Sequence, residues 1–226
     1  MKKKTLLAPI LLLCLLLCAC AETKPSPLPK PEVDASTEFG VDKNINMTTI
    51  DGYLGRDDVY YRDVRMLFDP ADFAAVGGEA DLTRTIRGFR IVPYPYLGTL
   101  QGLPVDGAYR GESLYTVEWG ADGHVVSATA NYRESEQILR ELFPRDGKAI
   151  FLMCGGGGYA GMTKELLLYL GWDADTLYNI GANWTYSGEN RLELVVYPEE
   201  AGDAPIYATW RADYALIDFE RLERMP

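Results

Sequence analysis

Cys154 is the side chain in this sequence best placed to do chemistry. It follows a short apolar run, Ala149 to Met153, and precedes four glycines, Gly155, Gly156, Gly157 and Gly158, then Tyr159, Ala160 and Gly161. The run has the length of a buried strand and is punctuated by Gly and Pro on both sides. Met162 to Leu170 carries good helix formers, and Gly171 stands where a helix would stop. A strand, a glycine loop and a helix N-terminus aim several backbone N–H groups at one point. A thiol beginning that loop is expected to lose its proton easily, because those N–H groups and the helix dipole stabilise the thiolate.

Three chemistries compete for such a loop. Gly156-x-Gly158-x-x-Gly161 satisfies the dinucleotide pattern G-x-G-x-x-G, but that pattern belongs near the start of its domain with an acid closing the next strand. Here it lies late, and the next apolar run ends in Ile180-Gly181. A cysteine phosphatase of the C-x5-R type needs an arginine clamp for phosphate at position 160, where this chain has Ala160. Sulfur transfer needs only the cysteine and a cradle for negative charge: the thiolate takes a sulfur atom from a donor, and an acceptor removes it. The single histidine, His124, falls in a hairpin turn, which is a poor start for a Ser-His-Asp triad. One His and a distant Cys give no zinc-site spacing, and no cofactor is called for.

Residues 148–172 resemble the active-site segment of the rhodanese family, the sulfurtransferases. There a strand ends in cysteine, a loop of the type C-R-x-G-x-R follows, and a helix ends in L-G-[FYW]. Cys154, Gly157, Glu165, Leu166, Leu167, Leu170, Gly171 and Trp172 fall on that pattern without a gap. Gly155 and Tyr159 replace the two loop arginines. Asp63-Val64-Arg65 is similar to the D-V-R that closes the first core strand of such domains. Ile91-Val92-Pro93 and the run from Leu177 to Trp184 are similar to later family segments. The resemblance spans about residues 45–186, with firm motifs in 148–186. It implies an α/β fold, a central parallel sheet flanked by helices. It also implies a persulfide on Cys154, with residues 155–160, Asp63 and Arg65 around a small sulfur donor or thiol acceptor. Two readings stay open: an active sulfurtransferase, or a rhodanese-like module kept for binding, since Gly155 and Tyr159 bring no positive charge to an anionic donor.

The rest of the chain must position that loop. Its 226 residues, 47% of them hydrophobic, suffice for one domain with a real core. A formal charge of −11 argues against nucleic acid as a partner and against electrostatic docking to anionic lipid. Lys2 to Lys4, followed by Leu6 to Leu17, read as an export signal too short to span a bilayer. Leu17-Cys18-Ala19-Cys20 resembles the lipobox of bacterial lipoproteins. That resemblance implies a lipidated Cys20 at the new N-terminus, with acyl chains such as palmitate holding the exported protein to the cell membrane. After such processing Cys20 and Cys154 are the cysteines left, so no disulfide framework follows.

The expected organisation is a signal peptide over 1–20, a proline-rich extended tether over 21–43 and one domain over 44–226. Within the domain the spacing predicts a short helix over Asn46–Tyr53 and a strand over Val59–Arg65. A helix is expected to start at Asp69-Pro70. Leu114–Trp119 and Val125–Ala130 predict an inserted hairpin, and Glu134–Phe143 an amphipathic helix with Ile138, Leu139 and Leu142 inward. A C-terminal antiparallel pair is expected from Arg191–Tyr197 and Ile206–Arg211. Tyr94, Tyr96, Trp184 and Tyr186 are candidates for a pocket mouth, although packing is the ordinary role for each.

Overall fold

The computed structural model describes residues 25–65, 84–101, 111–193, 195–196, 206–207 and 217–226. The expected signal peptide, Cys20 and the expected helix start at Asp69-Pro70 lie outside those residues. The fold is mixed α/β, built on a four-stranded parallel sheet flanked by helices. The sheet contains β1 (Val59–Asp63), β3 (Arg90–Ile91), β6 (Ala149–Cys154) and β7 (Leu177–Ala182), in the order β3-β1-β6-β7. Val59 to Asp63 pair in register with Ala149 to Met153, and Cys154 lies opposite Ala182.

All six residues of β6 are buried, as expected for a central parallel strand covered on both faces. Their alternation sends Ile150, Leu152 and Cys154 into one core, and Ala149, Phe151 and Met153 into the other. The first core lies under α2 (Ser135–Leu142), α3 (Gly158–Tyr169) and the antiparallel pair β4 (Tyr115–Trp119) and β5 (Val125–Ala130). It also holds Tyr94 and Leu97 of the short α1 (Tyr94–Leu97). Leu139 and Leu142 of α2 are buried in it, and Ile138 is partly buried against it. The second core is rich in aromatic edge contacts, with Phe151 at 5.7 Å from Tyr61 and 5.0 Å from Tyr178 between ring centroids.

Helix α3 ends as the sequence predicts. Gly171 has φ 89°, its N–H donates to Leu168 O at 3.0 Å, and the Trp172 N–H donates to Leu167 O at 2.9 Å. This is a Schellman stop, which needs a residue tolerant of the left-handed region. The start of α3 differs from expectation: it begins at Gly158, four residues before Met162. Low glycine propensity argued against this, and burial of Ala160 in the first core overrides it.

Three other expectations are corrected. Between Asn46 and Tyr53 only one 3-10 turn forms, Ile50–Tyr53. Asn46 Oδ1 takes the Thr48 N–H and Thr49 Oγ1 takes the Asn46 N–H, each at 3.0 Å; these bonds cap a helix start, but the turn they open stops at Tyr53, just before Gly55 with φ 72°. The expected C-terminal strand from Arg191 divides its pairing. Its first part, β8 (Arg191–Glu193), pairs antiparallel with β2 (Arg84–Ile86), and β9 (Val195–Val196) pairs with β10 (Ile206–Tyr207). Finally, residues 25–43 are not a free tether. Tyr178 Oη donates to Pro29 O at 2.8 Å, Asn179 Nδ2 donates to Phe39 O at 2.7 Å, and Leu28 packs against the second core. Backbone hydrogen bonds and a few apolar side chains dock this segment, and neither shows in a composition dominated by proline and polar residues.

Candidate functional site

The site forms where β6 ends. Gly157 has φ 101°, a left-handed value that glycine adopts without a Cβ clash, and it caps α3 with no side chain of its own. Cys154 Sγ takes the place of a capping side chain and accepts the Gly157 N–H at 3.0 Å. The first N–H groups of a helix lack partners within it, and those of Ala160 and Tyr159 also favour the thiolate. The structure therefore brings together Cys154, Gly155, Gly156, Gly157, Gly158, Tyr159 and Ala160 as one turn around the sulfur.

The expected acidity of the thiol is corrected. Cys154 is only 3% exposed, and burial pushes its pKa up. The N–H groups of Ala160, Gly157 and Tyr159 pull the other way without cancelling that, and the negative charge of Asp63 adds to the rise. In this closed arrangement Cys154 is a protonated thiol at neutral pH.

Asp63 and Arg65 are found at the end of β1 but occupied with each other. Arg65 Nε donates to Asp63 Oδ1 at 2.9 Å, and its Nη2 donates to both Asp63 Oδ2 at 2.5 Å and Arg84 O at 2.6 Å. Thr85 Oγ1 donates to Asp63 Oδ2 at 2.8 Å. Both charges are buried, so the pair ties β1 to β2. It faces the loop through the charge of Asp63 on the thiol and brings no arginine hydrogen bond to the sulfur. His124, in the turn between β4 and β5, makes a 2.7 Å contact with Glu165 on α3, away from the thiol.

Tyr159 is largely buried, with its ring 5.9 Å from that of Tyr94, and burial raises its pKa. Tyr94 and Tyr186 are buried packing residues, donating from their hydroxyls to Thr99 O and Asp51 Oδ1. Tyr96 sets its ring edge-on to Phe219 at 5.8 Å. Trp184 differs: it is half exposed and lies flat enough on Gly156 that a Cβ there would come within 3.0 Å of its ring. A cleft of about 340 Å3 lies next to Gly156, and Phe39, Met47, Ala182 and Thr185 are among its lining residues. Among the described residues no group of three or more His, Cys, Asp or Glu side chains is placed to hold a metal ion.

Asn179 was missed from sequence. It is fully buried in β7, donating from Nδ2 to Phe39 O at 2.7 Å and to Gly157 O at 3.3 Å, while Oδ1 accepts the Gly181 N–H at 3.0 Å. A lone polar residue inside the run Leu177-Tyr178-Asn179-Ile180 was the available signal. No family model, no curated protein and no solved structure matches this chain.

Proposed function

We propose that this protein is a rhodanese-like sulfurtransferase whose Cys154 carries sulfur as a persulfide. The observation that carries the reading is the cradle: a sulfur at the end of the central parallel strand, accepting the Gly157 N–H at 3.0 Å and faced by the N–H groups of Tyr159 and Ala160. Such a cradle favours negative charge on sulfur. In the first step the Cys154 thiolate attacks the outer sulfur of a donor. A new S–S bond forms, the donor's bond to that sulfur breaks, and the remainder leaves with the electron pair. In the second step an acceptor thiolate attacks the outer sulfur of the persulfide, and the Cys154 thiolate departs.

The loop shapes the choice of donor. Gly155 and Tyr159 bring no cation, and Arg65 is held by Asp63. Thiosulfate, a dianion, is therefore a poor donor, while persulfides and polysulfides suit the site better. The test is transfer of sulfur from polysulfide and from thiosulfate to a small thiol. Polysulfide is expected to be the better donor, and Cys154→Ser is expected to abolish transfer from both. Transfer that survives in Cys154→Ser would sink the reading.

A second reading, a rhodanese-like binding module without turnover, is favoured by one observation: the thiol is buried and its pKa is raised. We also propose that the protein is exported and held to the cell membrane by acyl chains on Cys20. It rests on the lipobox resemblance, and detergent-phase partitioning of parent and Cys20→Ser tests it. Equal partitioning of the two would contradict it.

A further inference from the structure

Residues Val33–Asp42 form a strap with hydrogen bonds of its own. Val33 bridges Asp42 in antiparallel fashion, and the Asp34 N–H donates to Val41 O at 2.8 Å. Thr37 Oγ1 donates to Asp34 O and accepts the Val41 N–H, at 2.7 and 2.9 Å. The buried Asp42 carboxylate closes the loop by accepting the N–H groups of Glu32, Asn44 and Ile45.

The strap meets the domain largely on glycine. A Cβ on Gly157 would lie 3.5 Å from the Phe39 ring, one on Gly161 3.2 Å from Phe39 O, and one on Gly181 3.0 Å from Val41 Cγ1. These glycines make room for the strap as well as for the turn. Asn179 then joins the parts, because one Nδ2 holds both Phe39 O and Gly157 O. Gly157 in turn gives its N–H to Cys154 Sγ. From strap to sulfur this path passes through two residues, Asn179 and Gly157.

We infer that the strap Val33–Asp42 is a latch on the Cys154 loop: seated, it keeps the thiol buried within the turn, and withdrawn, it lets the three-glycine loop open and exposes the sulfur. Gly155 to Gly157 carry no side chains to hold the closed form, so its order depends on neighbours. Opening removes the burial that raises the thiol pKa, which outweighs the N–H groups lost with it. Both changes make Cys154 more reactive at neutral pH.

The test uses the full chain and iodoacetamide under native conditions, with alkylation followed on the peptide that contains Cys154. Phe39→Ala is expected to raise the rate by about tenfold or more, since removing the ring shifts the local opening equilibrium. Ile138→Ala, on α2 and away from the strap, controls for general loss of stability and is expected to stay within about twofold of the parent. A Phe39→Ala rate within that range, or no faster than Ile138→Ala, overturns the latch. Should Phe39→Ala not fold, Val41→Ala carries the same test with the same two outcomes. The consequence for sulfur transfer rests on the persulfide reading, but alkylation reports access alone. Unchanged alkylation removes the latch, whereas faster alkylation with no persulfide from any donor keeps the latch and removes the reading.

Discussion

Replacing Asn179 by alanine would remove the side chain that joins strap, loop and sheet. Three hydrogen bonds go: Nδ2 to Phe39 O, Nδ2 to Gly157 O, and the Gly181 N–H to Oδ1. They are not equal. Gly157 O keeps a second donor, the Gly161 N–H at 2.9 Å, so that loss costs least. Phe39 O and the Gly181 N–H each lose a short-range partner in a buried setting. A net bond is worth ~0.5–1.5 kcal/mol, and a buried group left without its partner costs ~1–3 kcal/mol. The two orphaned groups give about 2–6 kcal/mol, against the ~5–15 kcal/mol typical of a domain. The variant should therefore fold, with a lower urea midpoint and an unchanged slope. The backbone contact from the Asp42 N–H to Asn179 O at 2.7 Å needs no side chain and should persist. Hydrogen exchange should quicken at the Gly157 amide while the Ile150 amide in β6 stays protected. A stability loss below about 0.5 kcal/mol, or an unchanged Gly157 amide, would refute the assignment of Asn179 as the joint.

Gly181→Ala and Gly147→Ala form a matched pair. Both glycines have positive φ, 94° and 87°, but a Cβ at 181 meets Val41 at 3.0 Å while one at 147 meets nothing within 4 Å. Each should lose ~1–2 kcal/mol to backbone strain, and Gly181→Ala more by crowding the strap; equal losses in urea unfolding would argue against the close approach. His124 has its pKa raised by the hydrogen bond and charge of Glu165. Because the folded value is raised, its stabilisation is complete below the unfolded histidine pKa and is lost as pH rises through the folded one. With the imidazole 67% exposed, the effect should stay below about 1 kcal/mol, read as the stability difference from His124→Gln across that range. Arg65→Gln would leave Asp63 buried without its ion pair and should cost about 3–5 kcal/mol. The double variant with Asp63→Asn should recover part of that, and additive losses in the cycle would show that the pair is not coupled.

Much of the frame around Cys154 was legible. Ala149 to Cys154 carries six residues that all bury, and an unbroken apolar run of that length between turn signals has few other homes. Gly171 followed by Trp172 announced the helix stop, because the left-handed residue and the apolar residue after it are both visible as letters. Asp122-Gly123 between two alternating runs announced the turn between β4 and β5. The strap was not legible. Its docking rests on Phe39, Val41 and main-chain carbonyls, and composition weighs none of these against the prolines before them. The thiol pKa was misjudged for a related reason. N–H groups at a helix start are implied by local sequence, but the burial that opposes them comes from first-core residues far apart along the chain and from the strap seated on the loop. Gly158 as a helix start was hidden too, since propensity is local and the packing that overrides it is not.

The central claim is that Cys154 carries sulfur. It is tested most directly by intact-protein mass spectrometry of the full chain after incubation with polysulfide, with fragmentation to locate the addition. The account predicts the mass of one added sulfur atom on Cys154, removed by a thiol reductant and absent in Cys154→Ser. A Cys154 that stays unmodified with polysulfide, thiosulfate and mercaptopyruvate, in the parent and in Phe39→Ala alike, would contradict it.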